Sequence, residues 1–254
     1  MIQRIQFFSI SFCLIFLSMV GKGIANDWIC REGNCIKGIG KIEWKNGDKY
    51  SGDFRNGKPD GQGHFVYADG RQYRGQFKNG VKEGMGTFIT TEGGWYVGQF
   101  KEDHLDGKGI FYFPDGIIYR GDYYKDMIDG YGEFIFPDGR KYEGQLHNEK
   151  RHGKGTFIWA DGRQYTGEFK EDKLHGKGTM IFPEGAKYEG EFENDLLCGK
   201  GKFFFPDGKK YEGEFRNNAP NGQGVMTYPD GKTQEGLFKN GTYIIPEEQK
   251  KQLR

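Results

Sequence analysis

The stretch Tyr73-Arg74-Gly75-Gln76-Phe77-Lys78-Asn79-Gly80-Val81-Lys82-Glu83-Gly84-Met85-Gly86 returns 23 residues later as Tyr96-Val97-Gly98-Gln99-Phe100-Lys101-Glu102-Asp103-His104-Leu105-Asp106-Gly107-Lys108-Gly109. The same frame opens at Tyr50, Tyr73, Tyr96, Tyr119, Tyr142, Tyr165, Tyr188 and Tyr211 with no insertion, Tyr123 and Leu146 standing where the other frames have Phe. A fixed period of this size marks an array of stacked supersecondary units, none able to bury its apolar face alone.

With the Tyr as position 0, position +20 is Gly in all nine readable frames, from Gly47 to Gly231, often after Pro-Asp, as in Pro114-Asp115-Gly116 and Pro206-Asp207-Gly208. Pro suits the first corner of a type I turn and Gly the left-handed residue after it, so these residues read as a three-residue hairpin loop with a bulge. That loop fixes the register: +17 faces +21, +15 faces the next Tyr, +13 faces the next +2, and +11 faces the next +4. One face then gathers the Tyr, the +4 ring, +15 and +17, with the glycines at +2, +11 and +13. A two-residue Asp-Gly loop would split the apolar set between two faces. Glycine inside a strand marks a close approach, and the visitor expected here is the ring of a neighbouring Tyr or Phe lying over bare backbone. A single-layer sheet can cover its own apolar face in this way, which accounts for 43 glycines in a folded chain.

The motif Tyr-x-Gly-x-Phe-x-x-Gly-x-x-x-Gly-x-Gly at this spacing resembles the MORN (membrane occupation and recognition nexus) repeat, over about Gly38 to Gly241. Asp27 stands where the first frame would have its Tyr and Gln234 where the last would, as suits capping units. The resemblance implies an all-β fold, an elongated single-layer twisted sheet of about nine stacked β-hairpins, whose 18 strands would span roughly 85 Å. It also implies scaffolding, dimerisation, or contact with membranes and phospholipids.

The ends read differently. Arg4, the uncharged and mostly apolar run 7–20, and the small residues of Gly23-Ile24-Ala25 predict a secretory signal peptide over 1–25, cut after Ala25. An uncleaved anchor is the lesser alternative, the run being short of the ~20 residues of a membrane span. An exported chain, periplasmic or secreted, is therefore expected. Residues 26–37 are expected to cap one sheet edge, 38–241 to form the array, and 242–254 to cap the other edge, with Pro246 opening a short helix through Glu247, Glu248, Lys250 and Lys251. Cys30 and Cys35 flank a polar turn and suit a disulfide in an oxidising compartment, two free thiols being the alternative; Cys198 stands alone.

Cleavage removes Arg4 and Lys22, leaving 35 basic against 36 acidic residues and a net charge of −1. That balance gives no electrostatic reason to seek nucleic acid. Position +10 holds Asp60, Glu83, Asp106, Asp129, His152, His175, Cys198 and Asn221, all capable metal ligands. Equivalent residues of adjacent hairpins lie about 10 Å apart, too far to share one zinc. No metal, cofactor or catalysis is expected, since site chemistry needs unlike groups in one pocket. The recurring Gly-x-Gly never opens a helix and so does not read as a phosphate cradle.

Two surface features carry the functional expectation. Position +16 should point away from the aromatic face, yet it reads Val66, Ile89, Tyr112, Ile135, Ile158, Ile181 and Phe204. This is either strand propensity or a contact stripe for a protein partner or a second copy. Positions +21 and +22 supply Arg71, Arg140, Lys141, Arg163, Lys187, Lys209 and Lys210, candidate contacts to lipid phosphates. A non-catalytic exported scaffold that binds protein or itself is the reading preferred, and a membrane or phosphoinositide-like phospholipid binder the alternative.

Overall fold

The computed structural model describes residues 27–247; the expected signal peptide and, from 248 onward, the expected C-terminal helix lie outside them. The chain divides into two compact units. The first runs to Pro137 and takes in His147–Glu149. It holds β1 (Trp28–Gly33), β2 (Gly38–Trp44), β3 (Lys49–Arg55), β4 (Lys58–Val66), β5 (Gln72–Lys78), β6 (Val81–Ile89), β7 (Trp95–Lys101), β8 (His104–Tyr112), β9 (Ile118–Tyr124) and β10 (Met127–Ile135). The second takes Asp138–Leu146 and everything from Lys150. It holds β11 (Lys141–His147), β12 (Lys150–Ile158), β13 (Gln164–Lys170), β14 (Lys173–Ile181), β15 (Lys187–Glu193), β16 (Leu196–Phe204), β17 (Lys210–Arg216), β18 (Ala219–Thr227), β19 (Thr233–Lys239) and β20 (Thr242–Tyr243). Neighbours in sequence pair antiparallel from β1 to β10 and from β12 to β20, so each unit is built of hairpins.

Two turns alternate. The loop that ends in Asp-Gly has the expected three residues, as in Ala68-Asp69-Gly70: Tyr67 N donates to Arg71 O at 2.9 Å, Gly70 N donates to Tyr67 O at 3.0 Å, and Gly70 has φ +96°. The aspartate before the Gly locks the loop by accepting from the +21 N–H, as Asp69 does from Arg71 and Asp207 from Lys209, both at 3.1 Å. The register follows: Phe65 faces Tyr73, Gly63 faces Gly75, and Gly61 faces Phe77. The second turn is absent from the sequence reading. It consists of +6 and +7, both left-handed, as in Asn56 (φ 51°) with Gly57 (73°) and Asn194 (49°) with Asp195 (69°). Two successive positive φ values define the type I′ turn, whose twist suits a two-residue hairpin.

Between these turns the ladder slips by one bulge in each Tyr hairpin, for example between Gly52 and Phe54 opposite Gly61. Groups that recur from frame to frame repair it. Tyr73 Oη donates to the +3 carbonyl of Gln76 at 2.9 Å, while the Gln76 side chain accepts from the +12 N–H of Met85 at 3.0 Å. The bond folds the Tyr ring back over glycines +2 and +13, which face each other across the strands as Gly75 and Gly86. The visitor over the glycines is thus the repeat's own Tyr, where a neighbour's ring was expected, because its hydroxyl is tied three residues downstream. A Cβ on Gly144 would stand 2.5 Å from Gly155 Cα and 2.6 Å from Tyr142 Oη.

The +4 rings complete the core. Phe77 meets the Tyr50 and Tyr73 rings edge-on at 5.0 and 5.1 Å, and Phe100 meets Tyr73 and Tyr96 at 4.8 and 5.3 Å. Each edge-to-face pair adds about 0.5–1.5 kcal/mol beyond its buried area. All eight frame tyrosines are 0 or 1% exposed.

A second seam joins successive repeats. The +7 N–H donates to the +9 carbonyl of the preceding repeat, as from Asp126 to Leu105 (2.9 Å) and Asp195 to Leu174 (3.1 Å). In return the +7 side chain accepts the +9 N–H: Asp126 from Leu105, Asp195 from Leu174 and Asn218 from Leu197, each at 2.8 Å. Where +9 is proline and has no N–H, at Pro59 and Pro220, the following +7 is Gly80 or Gly241, and only the carbonyl half of the clasp forms.

The ends add strands beyond the eighteen expected. β1 pairs with β2 (Trp28 opposite Trp44) through a bulge between Cys30 and Glu32, and β20 pairs with β19. Cys30 and Cys35 form a disulfide, Cα atoms 6.0 Å apart, that ties β1 to the turn after it.

Candidate interaction surface

Alternation along each strand gives each unit two unlike faces. The aromatic face carries the Tyr ladder and, at +9, two charged side chains where other repeats place Leu, Ile or Pro. Lys82 Nζ lies 5.6 to 5.9 Å from the ring centres of Tyr67, Tyr73, Phe88 and Phe100, donates to Tyr67 Oη at 3.2 Å, and has Asp103 at 3.9 Å. Burial pulls its ammonium below the usual lysine range, against the opposing pull of Asp103 and Asp126. Arg151 is buried, with Nε 3.1 Å from Asp172 Oδ1, a bond to the Asp172 carbonyl at 2.6 Å, and its guanidinium 5.1 Å from the Phe157 ring centre.

The far face carries the +16 residues. Ile89 and Ile181 are exposed, and Val66, Tyr112, Ile135, Ile158 and Phe204 are half-buried. Cross-strand pairing places each +16 residue between the residues just before two successive tyrosines. In the first unit this yields the row Ile89, Trp95, Tyr112, Ile118, Ile135, apolar on five successive strands, with the Trp95 and Tyr112 rings stacked at 4.6 Å. In the second unit the corresponding row interleaves Ile158, Ile181 and Phe204 with Gln164, Lys187 and Lys210. Trp95 and Ile118 escaped the sequence reading because position +22 was judged by its column, where Lys141, Lys187 and Lys210 dominate. Reading +16 and +22 together along the first unit would have found them.

The seven candidate phosphate contacts divide between the faces. Arg71, Arg140, Arg163 and Lys209 lie at the loops beside the aromatic face, paired with Asp69, Asp138, Asp161 and Asp207 at 2.7 to 2.9 Å. Arg71 and Arg163 also cover the Tyr67 and Trp159 rings. Lys209's side chain and N–H hold the Asp207 carboxyl below the ordinary range. Lys141, Lys187 and Lys210 lie on the far face, paired with Glu143, Glu189 and Glu212 at 2.5 to 3.6 Å. The far face of β15–β19 continues this mosaic: an open groove of about 530 Å³ is lined by Glu189, Lys200, Lys202, Glu212, Glu214 and Glu235 among others.

The +10 residues have a structural place. Asp60, Glu83 and Asp129 each accept the +6 N–H of the following type I′ turn, from Asn79, Glu102 and Asn148, at 3.1 Å. His104 and His147 pair with Asp126 and Asp129 at 2.5 and 2.9 Å. Among the described residues no three His, Cys, Asp or Glu side chains gather to hold a metal ion.

The alternation of a Pro-Asp-Gly loop, a Tyr folded over paired glycines and an edge-on Phe defines a β-hairpin repeat protein. The chain belongs to the MORN repeat family, whose model matches it eight times, at residues 50–70, 73–95, 96–118, 119–139, 142–162, 165–187, 188–210 and 211–233. No curated protein matches this chain. Solved structures similar to it include the G-box domain of the microcephaly protein CPAP, at 15% identity over 80% of this chain and 100% of that one, with a TM-score of 0.34. The TCP domain of SAS-4 (dCPAP) of Drosophila melanogaster, solved with a proline-rich motif of Ana2, is 13% identical over 71% of this chain and 86% of its own, with a TM-score of 0.31. The TCP10 domain of Danio rerio CPAP, in a point-mutant form, is 14% identical over 79% and 90%, with a TM-score of 0.28.

Proposed function

We propose that this MORN repeat chain is a non-catalytic, exported scaffold that binds a protein partner through the far face of its hairpins. The observation that supports this reading is the unbroken apolar row Ile89–Trp95–Tyr112–Ile118–Ile135, since contiguous exposed apolar surface on a soluble protein usually marks a contact site. The phospholipid alternative draws on cations that each face a carboxylate within 4 Å, which leaves little free positive field for an anionic surface.

Two sets of substitutions separate the readings. Replacing Ile89, Ile118 and Ile135 with Lys is expected to abolish partner binding while the circular dichroism spectrum stays that of the wild type. Replacing Arg140, Lys141 and Arg163 with Glu is expected to leave it unchanged. Loss of vesicle flotation in the second set alone, with strong salt dependence, would favour the lipid reading.

A further inference from the structure

The edge strands near the two ends of the chain are finished differently. β1 is blunted by its bulge, by the Cys30–Cys35 disulfide and by the pairs Arg31–Glu43 (3.0 Å) and Glu32–Lys41 (2.6 Å). β19 has no such protection. The bond from Tyr228 N to Lys232 O sets the alternation along it, so Lys232, Gln234 and Gly236 turn their backbone groups toward β18, and Thr233, Glu235 and Leu237 turn theirs outward. β20 pairs only with Phe238 and Lys239, and Ile244 N donates to Leu237 O at 2.8 Å. The next rung would call on residue 246, a proline with no N–H, and the Tyr243 hydroxyl takes the Glu235 carbonyl in its place at 3.2 Å. Among the described residues the Glu235 N–H and both backbone groups of Thr233 have no partner. A groove lies on each side of this bare stretch. On the aromatic face Gln234 replaces the frame Tyr, leaving an open groove of about 720 Å³ lined by Tyr228, Pro229, Gln234 and Tyr243 among others. On the far face is the groove of about 530 Å³ already described, where Glu189, Glu212, Glu214 and Glu235 outnumber Lys200 and Lys202.

We infer that the β19 edge takes up an extended peptide segment of a partner protein by strand addition, a basic residue of the segment falling opposite Glu235 and the aromatic residue after it opposite Gln234. The site is separate from the apolar row of the first unit, so the inference goes beyond the scaffold reading and does not depend on it. Unpaired outward N–H and C=O groups are complementary to another strand, and the grooves on the two faces select its alternate side chains. The chain itself shows what fills this place one repeat earlier. Beside β15, Lys202 stands opposite Glu189 and Phe203 opposite Tyr188. Lys202 Nζ reaches Glu212 at 3.0 Å, and the Phe203 ring lies 6.1 Å from that of Phe182, the counterpart of Tyr228. At β19 the carboxylate is present without its cation: among the described residues no cation lies within 4 Å of Glu214 or Glu235, whereas Glu189 and Glu212 are answered by Lys187, Lys202 and Lys210. A Lys or Arg supplied by the peptide completes that row, and its aromatic neighbour closes over Tyr228.

Fluorescence anisotropy of a fluorescein-labelled Ser-Gly-Lys-Phe-Thr-Ser peptide, titrated with the purified full chain, tests this. Saturable binding is expected, with a Kd below about 100 μM. Glu235→Lys should weaken it by at least about tenfold and should instead favour the peptide that carries Glu in place of Lys. Thr233→Pro, which removes an outward N–H and leaves the ladder to β18 intact, should weaken both. A peptide N-methylated at its Lys should not bind. The variant with Ile89, Ile118 and Ile135 replaced by Lys should bind the peptide as the wild type does, so that failure here and failure of the scaffold reading are told apart. No binding at about 500 μM chain, equal binding of the N-methylated peptide, or indifference to Glu235→Lys overturns the inference. If Thr233→Pro fails to fold, the charge exchange at Glu235 and the N-methylated peptide decide. A chain ending at Glu247 that binds where the full chain does not would assign the edge to residues 248–254 and overturn the partner peptide.

Discussion

At the scale of single residues, the frame Tyr does three jobs that sequence alone shows only in part. That Tyr and Gly must meet follows from glycines sitting inside strands; which Tyr meets which Gly does not, since the hydroxyl's target, the +3 carbonyl, is orphaned by a bulge that no side-chain pattern announces. Tyr142→Phe removes the 2.6 Å bond to the Gln145 carbonyl and should lower stability by about 1 kcal/mol. Gly144→Val, which must displace both Gly155 and the Tyr142 hydroxyl, should cost about 3 kcal/mol or more. Urea titration of the two variants checks the order, and an unperturbed Gly144→Val would mean the ring does not occupy that space. Lys82 gives a residue-scale prediction with a pH signature. Its depressed pKa means the folded state holds that proton less readily than the unfolded chain, so its penalty is full below the folded value and fades as pH rises from there toward the ordinary ~10.4. Lys82→Leu, which copies Leu105 one repeat on, should raise neutral-pH stability by about 1 kcal/mol and remove that rise.

At the scale of elements, the Pro-Asp-Gly loop was legible because its chemistry recurs in nearly every frame. The type I′ turn was not, because glycine holds +7 only at Gly57, Gly80 and Gly241, and the other frames place Asp, Glu or Asn in a left-handed conformation. The clasp explains that exchange: a carboxyl or amide oxygen at +7 serves the +9 N–H of the repeat before it, Gly80 and Gly241 appear where proline leaves that N–H missing, and Gly57 appears where the Ile36 N–H is already taken by Asn34 Oδ1. Burial holds the Asp195 carboxyl above the ordinary range, its bond from Leu174 and the nearby cations only partly offsetting the desolvation. A carboxyl with a raised folded pKa favours the fold when protonated and loses that contribution as pH climbs through the folded value. Asp195→Asn, which copies Asn218, should therefore gain a few tenths of a kcal/mol at neutral pH and flatten the acid limb of the stability curve. Asp195→Ala should lose about 2 kcal/mol, from an orphaned Leu174 N–H and an alanine at positive φ. Thermal melts across pH 4 to 8, the ordinary carboxylate range and above, would show whether the two variants diverge in sign.

For the molecule as a whole, the same tyrosines set an upper pH limit. Burial raises the hydroxyl pKa of Tyr50, Tyr73, Tyr96, Tyr165, Tyr188 and Tyr211 above the ordinary value. Their contribution is complete below ~10 and falls away as pH rises beyond it, where the unfolded chain ionises and the folded one resists. Because neighbouring repeats share rings and clasps, the loss should be cooperative: tyrosinate absorbance and loss of the β-sheet circular dichroism signal should rise together above about pH 10. Ionisation in advance of unfolding would show that the rings are open to solvent. The period made the family and fold class readable from the chain, because packing repeats whatever the sequence repeats. The apolar row was read only in part, because it arises where one repeat differs from the next.

The clasp also constrains how such a chain could lengthen. A gene segment encoding 165–187, copied in tandem, would bring the Leu174 N–H to an aspartate like Asp172, and a copy of 50–72 would bring Pro59 to a glycine like Gly57, so both seams agree. A copy of 73–95 would bring the Lys82 N–H to a glycine like Gly80, stranding a donor, and a copy of 211–233 would face Pro220 with an asparagine that has nothing to accept. Repeats that look interchangeable thus obey a rule of agreement between neighbours, and duplication is free only for the modules whose own two ends already match.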